Sequence, residues 1–261
     1  MKPSHHPVIF AGAGPGDPDL ITVKAMKALA AADLVIFAGS LVPETVLCWV
    51  RPGTETISSA GMHLDQIIDT IRTGYQSGKQ VVRLHTGDPS LYGAIFEQIR
   101  ELEKTEIPVL VIPGVTAAFA AAAAMRMEYT LPELTQTLIL TRISGRTPVP
   151  DTENLESLAA HQASMAIYLS MGHAQQVQKI LQDHYGENAD CAIAYKVSHP
   201  EEKIIRCRIK ELDQTCRKNA VTRHALIIVG KAVAACTKNK DMVPSKLYDS
   251  GFSHGYRNGS K

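Results

Sequence analysis

The chain has 261 residues, 45% of them hydrophobic, and its 27 basic and 26 acidic side chains leave a formal charge of +1. That is enough apolar material for two medium cores, and so even a charge argues against a generic nucleic-acid binder. No run of about eighteen uninterrupted apolar residues suggests a membrane span, and the five cysteines, odd in number and never spaced C-x-x-C, point to reduced thiols in the cytoplasm rather than a disulfide frame or a zinc site.

The opening MKPSHHP is polar, with no basic-then-apolar leader, and runs straight into an apolar strand, Val8–Gly12. The strand feeds a loop holding Gly12, Gly14, Pro15 and Gly16, then a helix expected to start at Asp17 or Asp19 and to run through Lys27. A loop this bare lets a ligand approach main-chain N–H groups closely. A nicotinamide or flavin fingerprint is excluded on two counts. The glycines fall as G-x-G-x-G with Pro15 inserted, and the next strand, residues 34–38, ends at Gly39 and Ser40 without the carboxylate that would hold ribose hydroxyls. No G-x-x-x-x-G-K-[ST] phosphate loop occurs.

Residues 80–93, QVVRLHTGDPSLYG, repeat the grammar: an apolar strand over 81–85, then Thr86, Gly87, Asp88 and Pro89, then a segment able to enter a helix. Residues 109–124, VLVIPGVTAAFAAAAA, do so again, with Pro113 and Gly114 in the turn and Thr116 placed to cap an alanine-rich helix. In an open α/β sheet ligands bind at the carboxyl ends of strands, so these ends together mark a candidate site. Asp88 and Asp17 are its candidate acids; each either positions a ligand or caps the helix that follows.

In the second half, strand runs at 137–142, 165–169, 191–196, 204–209 and 225–230 alternate with helical intervals at 153–161, 174–184 and 210–219. The last run, ending in Gly230, reads as another ligand-facing end. The expected organisation is an N-terminal α/β domain over 1–113, a connecting helix or linker over 114–133, a C-terminal α/β domain over 134–234 and a polar tail over 235–261. Arg142, Arg146 and Lys196, at strand ends, are candidate partners for an anionic substrate. The ten histidines are dispersed, and no cluster with metal-ligand spacing appears.

GAGPGDPDLITVKA, VVRLHTGDPSLYG and PGVTAAFAAAA resemble the three signatures of the tetrapyrrole (precorrin) methylases. Residues 129–150, the run HQASMAIYLSMGH and the tail LYDSGFSHGYR are similar to the branch that methylates carbon 11 of precorrin-4 or its cobalt complex in cobalamin synthesis. The resemblance covers residues 8–257 and implies two α/β domains with a non-Rossmann donor site in the cleft between them. It also implies S-adenosylmethionine as methyl donor, S-adenosylhomocysteine as product, a tetrapyrrole substrate that brings any cobalt with it, and a homodimer. Carried onto this chain, the donor contacts are Pro15, Thr86, Gly87, Asp88, Leu91, Thr116, Ala117, Met171, Val197 and Ala225. A sulfonium donor already activates its methyl group, so such an enzyme needs alignment and exclusion of water rather than a nucleophilic side chain. A sibling methylase for another precorrin or uroporphyrinogen, or a noncatalytic S-adenosylmethionine-binding sensor, would carry the same donor signatures.

Overall fold

The apolar runs of the first half pair into one parallel sheet in the computed structural model, which describes residues 6–236 and 245–259. Its elements are β1 (Val8–Gly12), α1 (Val23–Ala31), β2 (Leu34–Phe37), β3 (Glu55–Ser58), α2 (Leu64–Gln76), β4 (Val81–His85), α3 (Ile95–Glu103) and β5 (Val109–Ile112). The strand order is β3-β2-β4-β1-β5, every pair parallel. Strands buried on both faces need apolar side chains on both, which is why β2 reads LVIF and β4 VVRLH. One face packs Leu29, Val35, Val82 and Leu84; the other packs Phe10, Ile36, Ile71 and Leu102. Each such side chain, fully buried, contributes about 1.5–3 kcal/mol.

The helix expected from Asp17 or Asp19 through Lys27 is two pieces. Asp17 caps a 3-10 turn, Pro18–Leu20; Ile21 and Thr22 are extended; and α1 starts afresh at Val23. Thr22 decides the break, because its Oγ1 accepts the Ala25 N–H at 3.2 Å and donates to the Pro113 carbonyl at 3.3 Å, tying the helix start to the end of β5. Behind the TGDPS loop the helix also starts later than its sequence allows, at Ile95, after Tyr92 and Ala94 take left-handed backbone conformations.

From Ala117 the chain runs through α4 (Ala117–Met125), β6 (Leu138–Arg142), α5 (Leu155–Ala159), β7 (Ser164–Tyr168), α6 (Ala174–Tyr185), β8 (Asp190–Tyr195), β9 (Lys203–Arg208), α7 (Leu212–Lys218), β10 (Ala225–Val229) and α8 (Lys231–Ala235). A second sheet, ordered β6-β7-β10-β8-β9, is parallel between β6 and β7 and antiparallel elsewhere. Its core holds Met165, Ile167, Leu181, Ile193, Ile209 and Ile227. Because β10 runs against β7, with Val229 opposite Met165, its glycine end lies beside the start of β7. Gly230 is therefore a packing glycine and not a ligand-facing end: a Cβ there would lie 2.9 Å from the Ser164 Cα.

Backbone proximity divides the chain into Met1–Ala120 with Lys196–Glu201, and Ala121–Tyr195 with Glu202–Lys261. The short segment 196–201 thus groups with the first sheet although its neighbours in sequence form β8 and β9. Among the described residues no helix is long and apolar enough to cross a membrane.

Candidate functional site

The sheet order sets β4, β1 and β5 side by side, with Gly12 opposite His85 and Ala11 opposite Ile112, so the loops that follow them meet. They interlock through main chain. Gly14 and Gly87 exchange N–H···O bonds of 3.2 and 2.8 Å, and the Ala13 N–H reaches the His85 carbonyl at 2.7 Å. A Cβ on Gly12 would lie 2.5 Å from the Gly87 carbonyl oxygen, and one on Gly114 only 2.1 Å from the same atom. Only glycine lets these three turns touch.

Asp88 clips the arrangement. Its Oδ1 accepts the Ser90 N–H at 2.8 Å and its Oδ2 the Gly114 N–H at 2.9 Å, so the carboxylate joins the β4 and β5 loops and caps no helix. Around it Pro15 and Gly87 are buried, Thr86 and Leu91 half-buried. Thr116, buried, accepts the Phe119 and Ala120 N–H groups on its carbonyl and so stands at the N-terminus of α4, directly before Ala117. Asp17 caps the Pro18–Leu20 turn by accepting the Asp19 N–H at 2.9 Å, and its own N–H donates to the Ser198 hydroxyl at 3.0 Å. Ser198 belongs to the 196–201 segment, where Val197 is buried and Lys196 pairs with Glu201 at 3.1 Å.

Behind the loops lies a buried polar pair. Arg83 donates from Nε to Gln98 Oε1 at 3.1 Å and from a terminal nitrogen to the Ile36 carbonyl at 3.2 Å, and burial lowers its pKa to about 10. His85 stacks on Phe10 with ring centroids 5.8 Å apart. Burial first, then the Arg83 charge, lower its pKa to about 3, against a smaller opposing effect of its bond to the Gly93 backbone. The ring is therefore neutral, and its Nε2 has no hydrogen-bond partner.

In the second unit the register gathers the other candidates at one end of the sheet. Arg142 pairs with Tyr168 at the ends of β6 and β7, Ala225 pairs with Tyr195 where β10 begins and β8 ends, and Met171 follows β7 in a buried 3-10 turn. A cavity of about 580 Å³ opens there, lined by Met171, His173, Ala174, Gln176, Arg217 and Thr222 among others. The Arg142 guanidinium is committed to the carbonyls of Ile143, Thr147 and Pro148, so it shapes its own loop; Arg146, on that loop, is exposed. Among the described residues no group of three or more His, Cys, Asp or Glu could hold a metal ion.

The sequence marks the Ser-His-Pro turn only as the centre of a basic cluster with Lys196, His199 and Lys203; the contact of Ser198 with Asp17, 181 residues away in the chain, carries no sequence signal.

The family model for Tetrapyrrole (Corrin/Porphyrin) Methylases matches residues 7–213. Over 251 residues the chain is 46% identical to the cobalt-precorrin-4 C(11)-methyltransferase of Priestia megaterium, covering 96% of this chain and 97% of that one. It is similar in structure to a cobalamin biosynthetic enzyme, cobalt precorrin-4 methyltransferase, with TM-score 0.84 and 45% identity over 87% of this chain and 95% of the other. A uroporphyrin-III C-methyltransferase from Thermus thermophilus, complexed with S-adenosylhomocysteine, is similar at TM-score 0.73 and 26% identity, covering 92% and 99% of the two chains. With the family match spanning most of its length and the Priestia megaterium relative matched nearly end to end, the chain belongs to the tetrapyrrole (corrin/porphyrin) methylases.

Proposed function

We propose that this protein transfers a methyl group from S-adenosylmethionine to carbon 11 of cobalt-precorrin-4 in cobalamin biosynthesis. The observation that carries the reading is the 46% identity, over nearly the full length of both chains, to an enzyme named for that reaction. The residues fit the donor. The interlocked glycine turns leave main chain rather than side chains at the strand ends, and a Cβ added to Gly87 would stand in ordinary van der Waals contact, 3.7 Å from the Thr116 Cα, without the close backbone clash met at Gly12 and Gly114. A backbone surface of this kind suits a ligand bearing an amino acid and a nucleoside, both of which bond to N–H and C=O groups.

When bound, S-adenosylmethionine would supply a methyl group already activated by its sulfonium and would leave as S-adenosylhomocysteine. The chain's part is alignment and exclusion of water. Pro15, Thr86, Gly87, Leu91, Thr116, Ala117 and Val197 hold the donor; Asp88 positions it by fixing the Gly114 turn; Asp17 holds the loop after Gly16. Met171 and Ala225 make further donor contacts. Lys196 and Arg146 meet substrate carboxylates as charged donors, while Arg142 holds the loop that carries Arg146. The protein acts in the cytoplasm as a homodimer.

The test is turnover of methyl-labelled S-adenosylmethionine with enzymatically generated cobalt-precorrin-4 and, separately, metal-free precorrin-4. Label at carbon 11, faster with the cobalt complex, supports the reading; no transfer to either substrate defeats it. Light scattering of the purified protein tests the dimer.

A further inference from the structure

The turn Lys196–Glu201 is held in a conformation that needs a reason. Lys196 and Ser198 have φ values of 44° and 63°, the left-handed region that L side chains rarely adopt, and neither is glycine. The turn is braced by the His199 N–H donating to the Lys196 carbonyl at 3.0 Å and by the Lys196–Glu201 ion pair. What this conformation achieves is contact with the glycine loop after β1. It turns the Ser198 hydroxyl onto the Asp17 N–H at 3.0 Å. It also lays the His199 ring against Gly16, where a Cβ would stand 2.3, 2.5 and 2.9 Å from Cδ2, Nε2 and Cγ. Successive residues of the strap therefore grip successive residues of the loop, immediately after Pro15.

We propose that Ser198 and His199 are positioning residues for the methyl donor: the hydroxyl anchors the Asp17 N–H and the flat ring packs on Gly16, and together they hold the Pro15–Asp17 turn in its donor-binding shape. This rests on the donor-site reading of that loop. The ring acts by shape. Its Cδ2, Nε2 and Cγ atoms all lie against the glycine, a packing contact that a planar ring of similar size reproduces. The hydroxyl acts as an acceptor, which threonine reproduces and alanine does not.

The experiment measures S-adenosylhomocysteine binding by calorimetry, together with steady-state constants for donor and tetrapyrrole. Losing one such contact corresponds to a change of about three- to tenfold, so Ser198→Ala and His199→Ala each raise the donor Kd and KM by that order. Over the same variants kcat and the tetrapyrrole KM stay within about twofold, since binding of the donor and not the chemical step is affected. Ser198→Thr and His199→Phe stay near wild type in donor Kd, and His199→Phe keeps the wild-type pH profile; these two variants also guard against misfolding of the alanine forms. Alanine variants that bind S-adenosylhomocysteine as tightly as wild type overturn the proposal. A His199→Phe enzyme that binds normally but loses turnover and a limb of its pH profile overturns it too, by making the ring a proton carrier. Wild-type protein that binds no S-adenosylhomocysteine overturns the donor-site reading itself, and the strap's role with it.

Discussion

Asp88 joins two strand ends: its carboxylate sits on the β4 loop, and its Oδ2 accepts the N–H of Gly114 on the β5 loop at 2.9 Å. The other oxygen holds Ser90 in the same loop. Asp88→Ala leaves both N–H groups without this acceptor, so the loops loosen at the point where the donor is proposed to bind. We expect a loss of about 1–3 kcal/mol in stability and at least about tenfold weaker S-adenosylhomocysteine binding. Asp88→Asn, which keeps one acceptor oxygen, falls between. Thermal melts and calorimetry on the three proteins check this; an Asp88→Ala enzyme with full turnover would refute the assignment. Pro15→Ala, which frees φ in the adjoining turn, is expected to weaken donor binding with little change in melting temperature.

The glycine contacts give a steric prediction. A methyl group on Gly114 would meet the Gly87 carbonyl oxygen at 2.1 Å and the Gly12 Cα at 2.9 Å, all backbone, so no side chain can turn aside to relieve it. Gly114→Ala must force the β1, β4 and β5 loops apart and should abolish donor binding. Gly61→Ala meets nothing within 4 Å and is expected to stay within about 0.5 kcal/mol of wild type. Parallel melts and binding curves compare the two.

His85 links stability to pH. Its folded pKa of about 3 lies below the ordinary value of 6.5, so on acidification the unfolded chain takes up a proton that the folded one refuses. Stability is then complete above about pH 6.5, falls as pH drops from there toward about 3, and is flat with respect to this group below that. The loss is on the order of 1–4 kcal/mol across the window. His85→Phe keeps a ring to stack on Phe10 but does not titrate, so its stability should decline less steeply between pH 6.5 and 4. Denaturant melts at several pH values read this directly.

How much of this was legible in the sequence depended on burial and distance along the chain. β2 and β4 were legible because strands covered on both faces must be continuously apolar, and LVIF and VVRLH are nearly so. β3, ETIS, was missed because an edge strand with exposed side chains carries no such pattern. The break between Pro18–Leu20 and α1 was missed because it depends on Thr22 reaching Pro113, 91 residues away. The direction of β10 was equally invisible, since an apolar run is the same run whichever way its neighbours point, and Gly230 was misread for that reason. The glycine turns, by contrast, announced themselves locally, because close backbone approach demands glycine whatever the partner.

Three cysteines of the second unit make a last test, independent of the donor. Cys191 and Cys207 stand opposite each other on β8 and β9, with Sγ atoms 3.5 Å apart, and Cys216 packs in the same core. The hydrogen bond with Cys207, followed by burial, pushes the Cys191 thiol far above the ordinary range; burial pushes Cys216 up to about 11. Cys207 moves the other way, held down by its bonds to the Cys191 and Thr215 side chains. It is also the partly exposed member of the pair, on the edge strand of its sheet. Since the thiolate is the reactive form, iodoacetamide near pH 8 should modify Cys207, along with exposed Cys48, well before Cys191 or Cys216. Peptide mass mapping over a time course gives the order, and Cys191 alkylated first would invert the assignment. Cys191→Ser keeps a hydroxyl beside Cys207 and leaves the proposed donor site untouched, so turnover should stay within about twofold, whereas Cys191→Ala removes the hydrogen-bond donor and Cys207 should react more slowly.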